Sequence, residues 1–285
     1  MSQPFRPEDV NLTGQVALVT GGGRGIGRVM ARWLARAGAA VGIMARSAEQ
    51  LEETAELVQQ EGGRVLTVPG DVTDLYAVRN TVADIETAFG PITLLVNNAG
   101  VIGPSGRTWD IDPDEWWRCM EINVRGPLIC MHAVLPGMVA RRHGRVINVS
   151  SGAGSGPSLY GSAYGVSKTA LTRLSETVAL EVAEFGVQVF PIHPGTVRTA
   201  MTEHLMRDPQ RDLRTPWLPQ FFAEKQDVPP ERAAELVLRL ASGQADALSG
   251  LFLGIDDDLD ALTRQAETIR QKHYYTLRVQ TLPQK

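Results

Sequence analysis

Val16-Ala17-Leu18-Val19-Thr20-Gly21-Gly22-Gly23-Arg24-Gly25-Ile26-Gly27 is the stretch that decides the fold. Its first five residues are a short uncharged run, the pattern of a strand buried on both faces in a parallel sheet. A helix follows, with Ile26, Met30, Trp33, Leu34 and Ala37 at helical spacing and Gly38 at its end. Strand, glycine turn and helix N-terminus together make an anion site. Unpaired amides and the helix dipole face a pyrophosphate that only glycines let approach closely. The spacing departs from the common dinucleotide fingerprint, because the position three after Gly23 is Ile26, and it reads Thr20-Gly21-x-x-x-Gly25-x-Gly27. A glycine-rich loop without a ligand is the plainer alternative, and the flanking strand and helix argue against it.

Outward from this stretch, strand and helix patterns alternate. Strands are expected at 16–20, 40–45, 64–68, 94–97, 145–149, 187–192 and 251–253, with helical patterns between them. Such alternation implies an α/β fold, a single-domain, Rossmann-type doubly wound parallel sheet with helices on both faces and ligands at the carboxyl ends of its strands. The polar motifs lie at those ends. Asp71 follows the third strand, Asn97-Asn98-Ala99-Gly100 the fourth, Ser151 the fifth and Pro194-Gly195 the sixth. At the start of a later helix Tyr164-Gly165-Val166-Ser167-Lys168 places a phenol and an ammonium at i and i+4, on one face. A fixed cation there favours phenolate and brings Tyr164 toward the range of a general acid/base.

With Asn123 and the run Pro194-Gly195-Thr196-Val197-Arg198-Thr199 in order among these motifs, the chain resembles the short-chain dehydrogenase/reductase family, in the subgroup with the Thr-Gly-x-x-x-Gly-x-Gly turn. The likeness runs from about Gly14 to Gly254. Carried over by position, it implies a catalytic tetrad of Asn123, Ser151, Tyr164 and Lys168. The cofactor-binding set is Thr20, Gly21, Gly23, Arg24, Gly25, Ile26, Gly27, Arg46, Asp71, Val72, Asn98, Ala99, Gly100, Tyr164, Lys168, Pro194, Gly195, Val197 and Thr199. An NAD site places an acid at the end of the second strand to hold the ribose 2'-hydroxyl, whereas an NADP site leaves room and a nearby Arg. Here Ala45-Arg46-Ser47 stands there, and Arg24 offers a second guanidinium, so NADP(H) is the expected cofactor. Taken singly, either arginine reads as ordinary surface charge, and Asp71 reads equally well as a cap acting through Thr73 and Asp74.

Hydride transfer to a carbonyl grows negative charge on oxygen, so a proton donor and a hydrogen-bond donor must stand beside it. Tyr164 is expected to give the proton and Ser151 the hydrogen bond, with Ser150 on the other face of its strand. The resemblance implies that Lys168 holds the nicotinamide ribose and that Asn123 seats a water linking Lys168 to solvent. Taken alone, Asn123 reads as a helix-kink or turn residue and Ser151 as a strand-end cap. Ile102, Ala153 and Leu159, with Trp217, Leu218 and Phe221, are expected to wall an apolar substrate site, although 217–222 reads equally as a subunit contact or a core-packed helix. His193 reads as a packed residue with a satisfied ring.

The 285 residues form one domain, with a polar N-terminal tail at 1–13, a substrate loop at 196–230 and a C-terminal extension at 255–285. In that extension Leu259, Leu262, Ala266 and Ile269 share one helical face, with acids at the front and bases behind. It is expected to dock across a subunit boundary or over the substrate mouth, with packing on its own subunit as the alternative. A net charge of −4 offers no basic excess for nucleic acid. No run approaches the roughly 20 apolar residues of a membrane span, and no metal-ligand spacing appears. Cys119 and Cys130 fit neither a metal site nor a disulfide framework. The expectation is a cytoplasmic homodimer or homotetramer acting on a small-molecule carbonyl or secondary alcohol. A 3-oxoacyl-thioester reductase of fatty-acid or polyketide type shares these motifs and is the second reading. A non-enzymatic NADP-binding regulator is the third, and the intact tetrad argues against it.

Overall fold

A computed structural model describes residues 5–209 and 211–279. The chain runs through β1 (Val16–Thr20), α1 (Gly25–Arg36), β2 (Ala40–Ala45), α2 (Ala48–Gln60), β3 (Arg64–Pro69), α3 (Leu75–Phe89) and β4 (Leu94–Asn97). It continues through α4 (Pro113–Met120), α5 (Gly126–Arg141), β5 (Gly144–Val149), α6 (Ser162–Val182) and β6 (Val187–His193). Three short helices follow, α7 (Ala200–Arg207), α8 (Arg211–Arg214) and α9 (Leu218–Ala223). Then come α10 (Pro230–Ala241), β7 (Leu253–Gly254), α11 (Leu259–Arg264) and α12 (Ala266–Gln271).

The seven strands form one sheet in the order β3-β2-β1-β4-β5-β6-β7, every neighbouring pair parallel. Alternation along each strand feeds two cores. Ala17, Val19, Val41 and Ile43 face α1, α2 and α10, while Val16, Leu18, Leu95 and Val146 face α3, α5 and α6. Both faces are apolar, which is why these strands read as continuous apolar runs. Fully burying a side chain such as Leu34 or Ile43 is worth about 1.5–3 kcal/mol, and both are 0% exposed. The strand order reverses between β1 and β4, and that switch point opens a crevice at their carboxyl ends.

Four sequence expectations change. The 1–13 stretch is not a free polar tail over its described part: Leu12 is buried and Phe5 stacks on Trp33 at 6.3 Å, while residues 1–4 lie outside the described residues. The expected loop 196–230 is built largely of α7, α8 and α9, whose short lengths and prolines hide any long period. A π-turn at Glu121–Arg125 joins α4 to α5, so Pro113–Arg141 is one helical run long and apolar enough to cross a membrane. Half of its most apolar window is buried inside the fold, the position of a core helix.

The C-terminal extension is the fourth. Its single expected helix breaks at Gln265 into α11 and α12, and Leu259 and Ile269 are buried in the same core as α1 and α10. The Phe252 amide donates to the Tyr275 carbonyl at 2.8 Å, and the Leu277 amide to Glu176 Oε1 at 2.7 Å. The described part of the extension therefore packs on its own subunit, not over the substrate mouth, because its apolar stripe finds the core within reach. Residues 280–285 of that extension lie outside the described residues.

Candidate active site

The glycine turn leaves β1 with Gly21 at φ +66°, a left-handed conformation that a side chain disfavours. A Cβ on Gly27 would collide with the Gly21 carbonyl and the Asn98 amide, so α1 begins hard against the end of β4. Asn98 fastens this junction, its Nδ2 donating to the Thr20 and Gly21 carbonyls at 3.0 and 3.2 Å. Thr20 Oγ1 accepts from the amides of Asn98 and Ala99, both at 3.1 Å. Arg28, which sequence reasoning passed over, braces the turn from outside through two bonds to the Gly23 carbonyl.

Along this junction runs a cavity of about 460 Å³. Gly21, Gly23, Arg24, Gly25, Ile26, Gly27, Arg46, Asp71, Val72, Asn98, Ala99, Gly100 and Thr199 of the expected cofactor residues line it. Thr20, Pro194, Gly195, Val197, Tyr164 and Lys168 stand outside its wall: Thr20, Val197 and Lys168 are buried, and Gly195 turns the chain at φ +80°. Met44, Ser47, Gln50, Gly70, Val101, Ile122, Ala200 and Met201 also line it and were not among the expected cofactor residues. Most carry no chemistry to single them out, but Gln50 had a signal, lying three residues after the helix cap Ser47.

Arg24 and Arg46 are both exposed on this wall. Asp71 has a local task as well, its Oδ1 accepting from the Thr73 amide and hydroxyl at 2.9 and 2.8 Å while Oδ2 pairs with Arg118 at 3.2 Å. Burial alone would raise its carboxyl, but the Thr73 bonds and the Arg118 charge hold it below the usual carboxylate range. Asp74 supplies the helix cap, accepting from the Tyr76 and Ala77 amides.

The tetrad residues converge beyond the Gly100 end of the cavity. A Cβ added to Gly100 would lie 3.1 Å from Asn123 Oδ1 and 3.5 Å from Lys168 Nζ, so a bare residue lets the chain pass between them. Asn123 sits in the π-turn, where its side chain clamps Val101: Oδ1 accepts from the Val101 amide at 2.9 Å and Nδ2 donates to its carbonyl at 2.8 Å. Nδ2 also donates to Ser167 Oγ at 2.9 Å. Ser151 leaves β5 extended at φ −166° and accepts from the Ala153 amide at 3.3 Å, and its hydroxyl is close enough to lower the Tyr164 phenol. Ser150 points the other way, to the Lys168 carbonyl and Thr172, and has no part here. His193 is satisfied, its Nδ1 accepting from the Gly152 amide at 3.0 Å.

Lys168 Nζ lies 5.7 Å from the Tyr164 ring centroid and donates to the Val149 carbonyl at 2.8 Å. Burial pushes the ammonium down to about 8. Burial likewise raises the Tyr164 phenol above its usual range, offset in part by the Ser151 bond and by a positive charge that comes from Arg214.

The expected substrate wall survives only in part. Ile102 packs with Met206 and Phe221 against buried Leu205, Leu218 and Phe222, a small cluster separate from the two main cores. Leu159 is 73% exposed and does not belong to it, because the turn before α6 carries it out to solvent. Ala153 is half-buried beside Ser151. Trp217 is 49% exposed and meets Phe221 edge-on at 5.4 Å, so α9 packs within its own chain. Among the described residues no cluster of metal-ligating side chains occurs.

A doubly wound sheet with a glycine-lined crevice at its switch point and a Ser-Tyr-Lys group beside it defines a nucleotide-dependent oxidoreductase. Residues 15–210 match the family model described as short chain dehydrogenase, and the chain belongs to that family. A short chain dehydrogenase of Pseudocercospora fijiensis is 32% identical over 269 residues, covering 90% of this chain and 84% of that protein. Among solved structures, the actinorhodin polyketide ketoreductase with NADPH superposes with a TM-score of 0.78 at 28% identity, over 88% of this chain and 97% of that one. The NAD+-bound xylitol dehydrogenase does so with 0.79 at 29% identity, over 85% and 98%.

The crevice fits a nicotinamide dinucleotide: an unbranched glycine floor, a helix N-terminus at its base, and a length of wall from the β2 end to Gly100. When bound, that group donates or accepts a hydride.

Proposed function

We propose that this chain is an NADP(H)-dependent oxidoreductase that interconverts a carbonyl and a secondary alcohol on a small to medium, largely apolar substrate. One observation carries the cofactor choice. At the end of β2 the cavity wall is Ala45-Arg46-Ser47, with Arg24 on the same wall, so that strand end offers guanidiniums to a 2'-phosphate and no acid to a 2'-hydroxyl, while the wall's carboxylate, Asp71, follows β3.

Tyr164 holds the proton that the substrate oxygen takes on reduction, and Ser151 donates a hydrogen bond to that same oxygen. Positioned general-acid catalysis is worth about 10²–10⁴-fold. Lys168 is kept from solvent by β5 and Tyr164, and its ammonium, pushed down to about 8 by burial, stabilises negative charge in the site. Asn123 fixes Val101 and with it the loop carrying Ile102 toward the apolar cluster of Leu205, Leu218 and Phe222. Cys119 and Cys130 are free and buried, which suits the reducing cytoplasm in which we place the protein. Exposed Leu128, Val166 and Leu180 supply apolar surface for a homodimer or homotetramer, which solution mass would distinguish.

The test is a screen of ketones and alcohols with NADPH and NADH in parallel, followed by nicotinamide absorbance. A preference for NADH, or no turnover with either, would refute this reading.

A further inference from the structure

Arg28 forms no part of the crevice wall, yet it holds one of the crevice's peptides in place. It lies in the first turn of α1, and its guanidinium reaches back to the glycine turn, where Nε and Nη2 both donate to the Gly23 carbonyl, at 3.0 and 2.6 Å. Nε also lies 3.0 Å from Thr54 Oγ1 on α2. That hydroxyl, with one proton to give, stands 3.1 Å from the same Gly23 carbonyl and 3.0 Å from that of Gln50. Nη2 pairs with Glu53 as well, so the charge of Arg28 is answered within the protein. A guanidinium committed to a carbonyl and a carboxylate outside the crevice is a brace, not a group that meets a ligand.

The consequence lies on the other side of the braced peptide. Its bond is trans, so the Arg24 amide points opposite to the Gly23 carbonyl, away from Arg28 and Thr54. Among the described residues that amide donates to nothing. Gly23 and Arg24 both line the cavity, whereas Arg28 and Thr54 do not. A Cβ on Gly23 would lie 3.0 Å from Gln50 Cβ. The peptide therefore sits against the first turn of α2, beside Arg46 and Ser47, at the end of the crevice given above to the 2'-phosphate. The turn cannot fix this orientation unaided, because Gly21, Gly22, Gly23 and Gly25 bring no side chains to it, and glycine is the residue with the freest backbone. Turned over, the same peptide would offer a phosphate a carbonyl oxygen in place of an N–H.

We propose that Arg28 is a positioning residue for cofactor choice: by holding the Gly23 carbonyl outward, it presents the Arg24 amide to the 2'-phosphate of NADP(H). This rests on the NADP(H) reading above and deepens it, since selectivity then depends on a residue that touches no cofactor atom. An amide bond to a phosphate is charge-assisted and one to a ribose hydroxyl is not, so NADPH loses more than NADH when the brace is removed.

The experiment titrates NADPH and NADH by fluorescence into the wild type and its variants. Arg28→Met should raise the NADPH Kd about tenfold or more and the NADH Kd about twofold at most, as the loss of one charge-assisted bond warrants. Retained NADH binding shows the variant folded. Arg28→Lys, with one donor in place of the fork, should fall between the two. Because Arg28→Met leaves Glu53 unpaired, Arg28→Met combined with Glu53→Gln restores the wild-type charge sum, and it should bind NADPH as weakly as Arg28→Met alone. Recovery in that double variant would mean that charge alone is at work, and would overturn the proposal. Equal losses for both cofactors would mean a turn loosened throughout, and would overturn it too. NADPH preference kept in Arg28→Met but lost in Arg46→Ala sinks this inference alone. A wild type that binds NADH as tightly as NADPH fails the cofactor reading, and this inference falls with it.

Discussion

Replacing Lys168 with Met should make the protein more stable at neutral pH while removing its activity, and the sign should reverse in alkali. Lys168 is 4% exposed, and its ammonium titrates at about 8 against an ordinary 10.5. At 1.36 kcal/mol per unit, keeping that charge buried at pH 7 costs the fold about 3 kcal/mol. Met has nearly the same length and no charge, so the cost disappears. The substitution also strips the Val149 carbonyl of the donor it has at 2.8 Å, worth about 1–2 kcal/mol. The net gain at pH 7 is about 1–2 kcal/mol, roughly 2–4 °C in Tm for a chain of this size. The buried ammonium loses its proton near pH 8 and the unfolded one near 10.5, so between those values the unfolded state binds more protons and wild-type stability rises with pH. Above 10.5 the charge cost is gone from both states, only the missing bond remains, and Lys168→Met becomes the less stable protein. Urea unfolding of both proteins without cofactor, at pH 7 and above pH 10, measures this. A variant already less stable at pH 7, or a difference that stays constant with pH, would refute the argument.

Tyr164→Phe should lower turnover by about a hundredfold or more while leaving NADPH affinity close to unchanged, because Tyr164 lies outside the nucleotide cavity wall; steady-state rates and fluorescence titration check it. Arg46→Ala should weaken NADPH and spare NADH, since only the former carries a 2'-phosphate for that guanidinium, and equal losses in the two Kd values would show the placement wrong. Ile269→Ala should destabilise by about 2–5 kcal/mol, the range for truncating a buried aliphatic side chain, because Ile269 is 5% exposed in the core shared with α1 and α10. Thermal unfolding should show the same Tm loss at every protein concentration; a loss that shrinks as concentration rises would mean that the stripe docks on another subunit.

The sheet was legible because β1, β2, β4 and β5 are largely apolar runs bounded by glycine, proline or polar residues, and a parallel sheet buries both faces of such runs, while the edge strand β3 is only half-buried. β1, β2 and β4 match the expected bounds, and β3, β5 and β6 differ by one residue. What escaped were elements whose stability is tertiary. Phe5 and Leu12 belong to the core through Trp33 and Arg239, contacts that leave no period in a thirteen-residue polar stretch. α11 and α12 keep the apolar stripe that was visible as one helix, but at Gln265 the backbone leaves helical geometry, and the stripe lands on the chain's own core.

At the site the division is between position and environment. Spacing was enough to say that Tyr164 and Lys168 share a helix face and that glycines floor a crevice. It could not say which groups would be desolvated, and desolvation decides the chemistry. Lys168 donates its ammonium to the Val149 carbonyl, and burial pushes it down to about 8. The cation that does act on Tyr164 is Arg214, fifty residues further along in a segment without periodicity, brought there by the packing of α8 against the loop after β4.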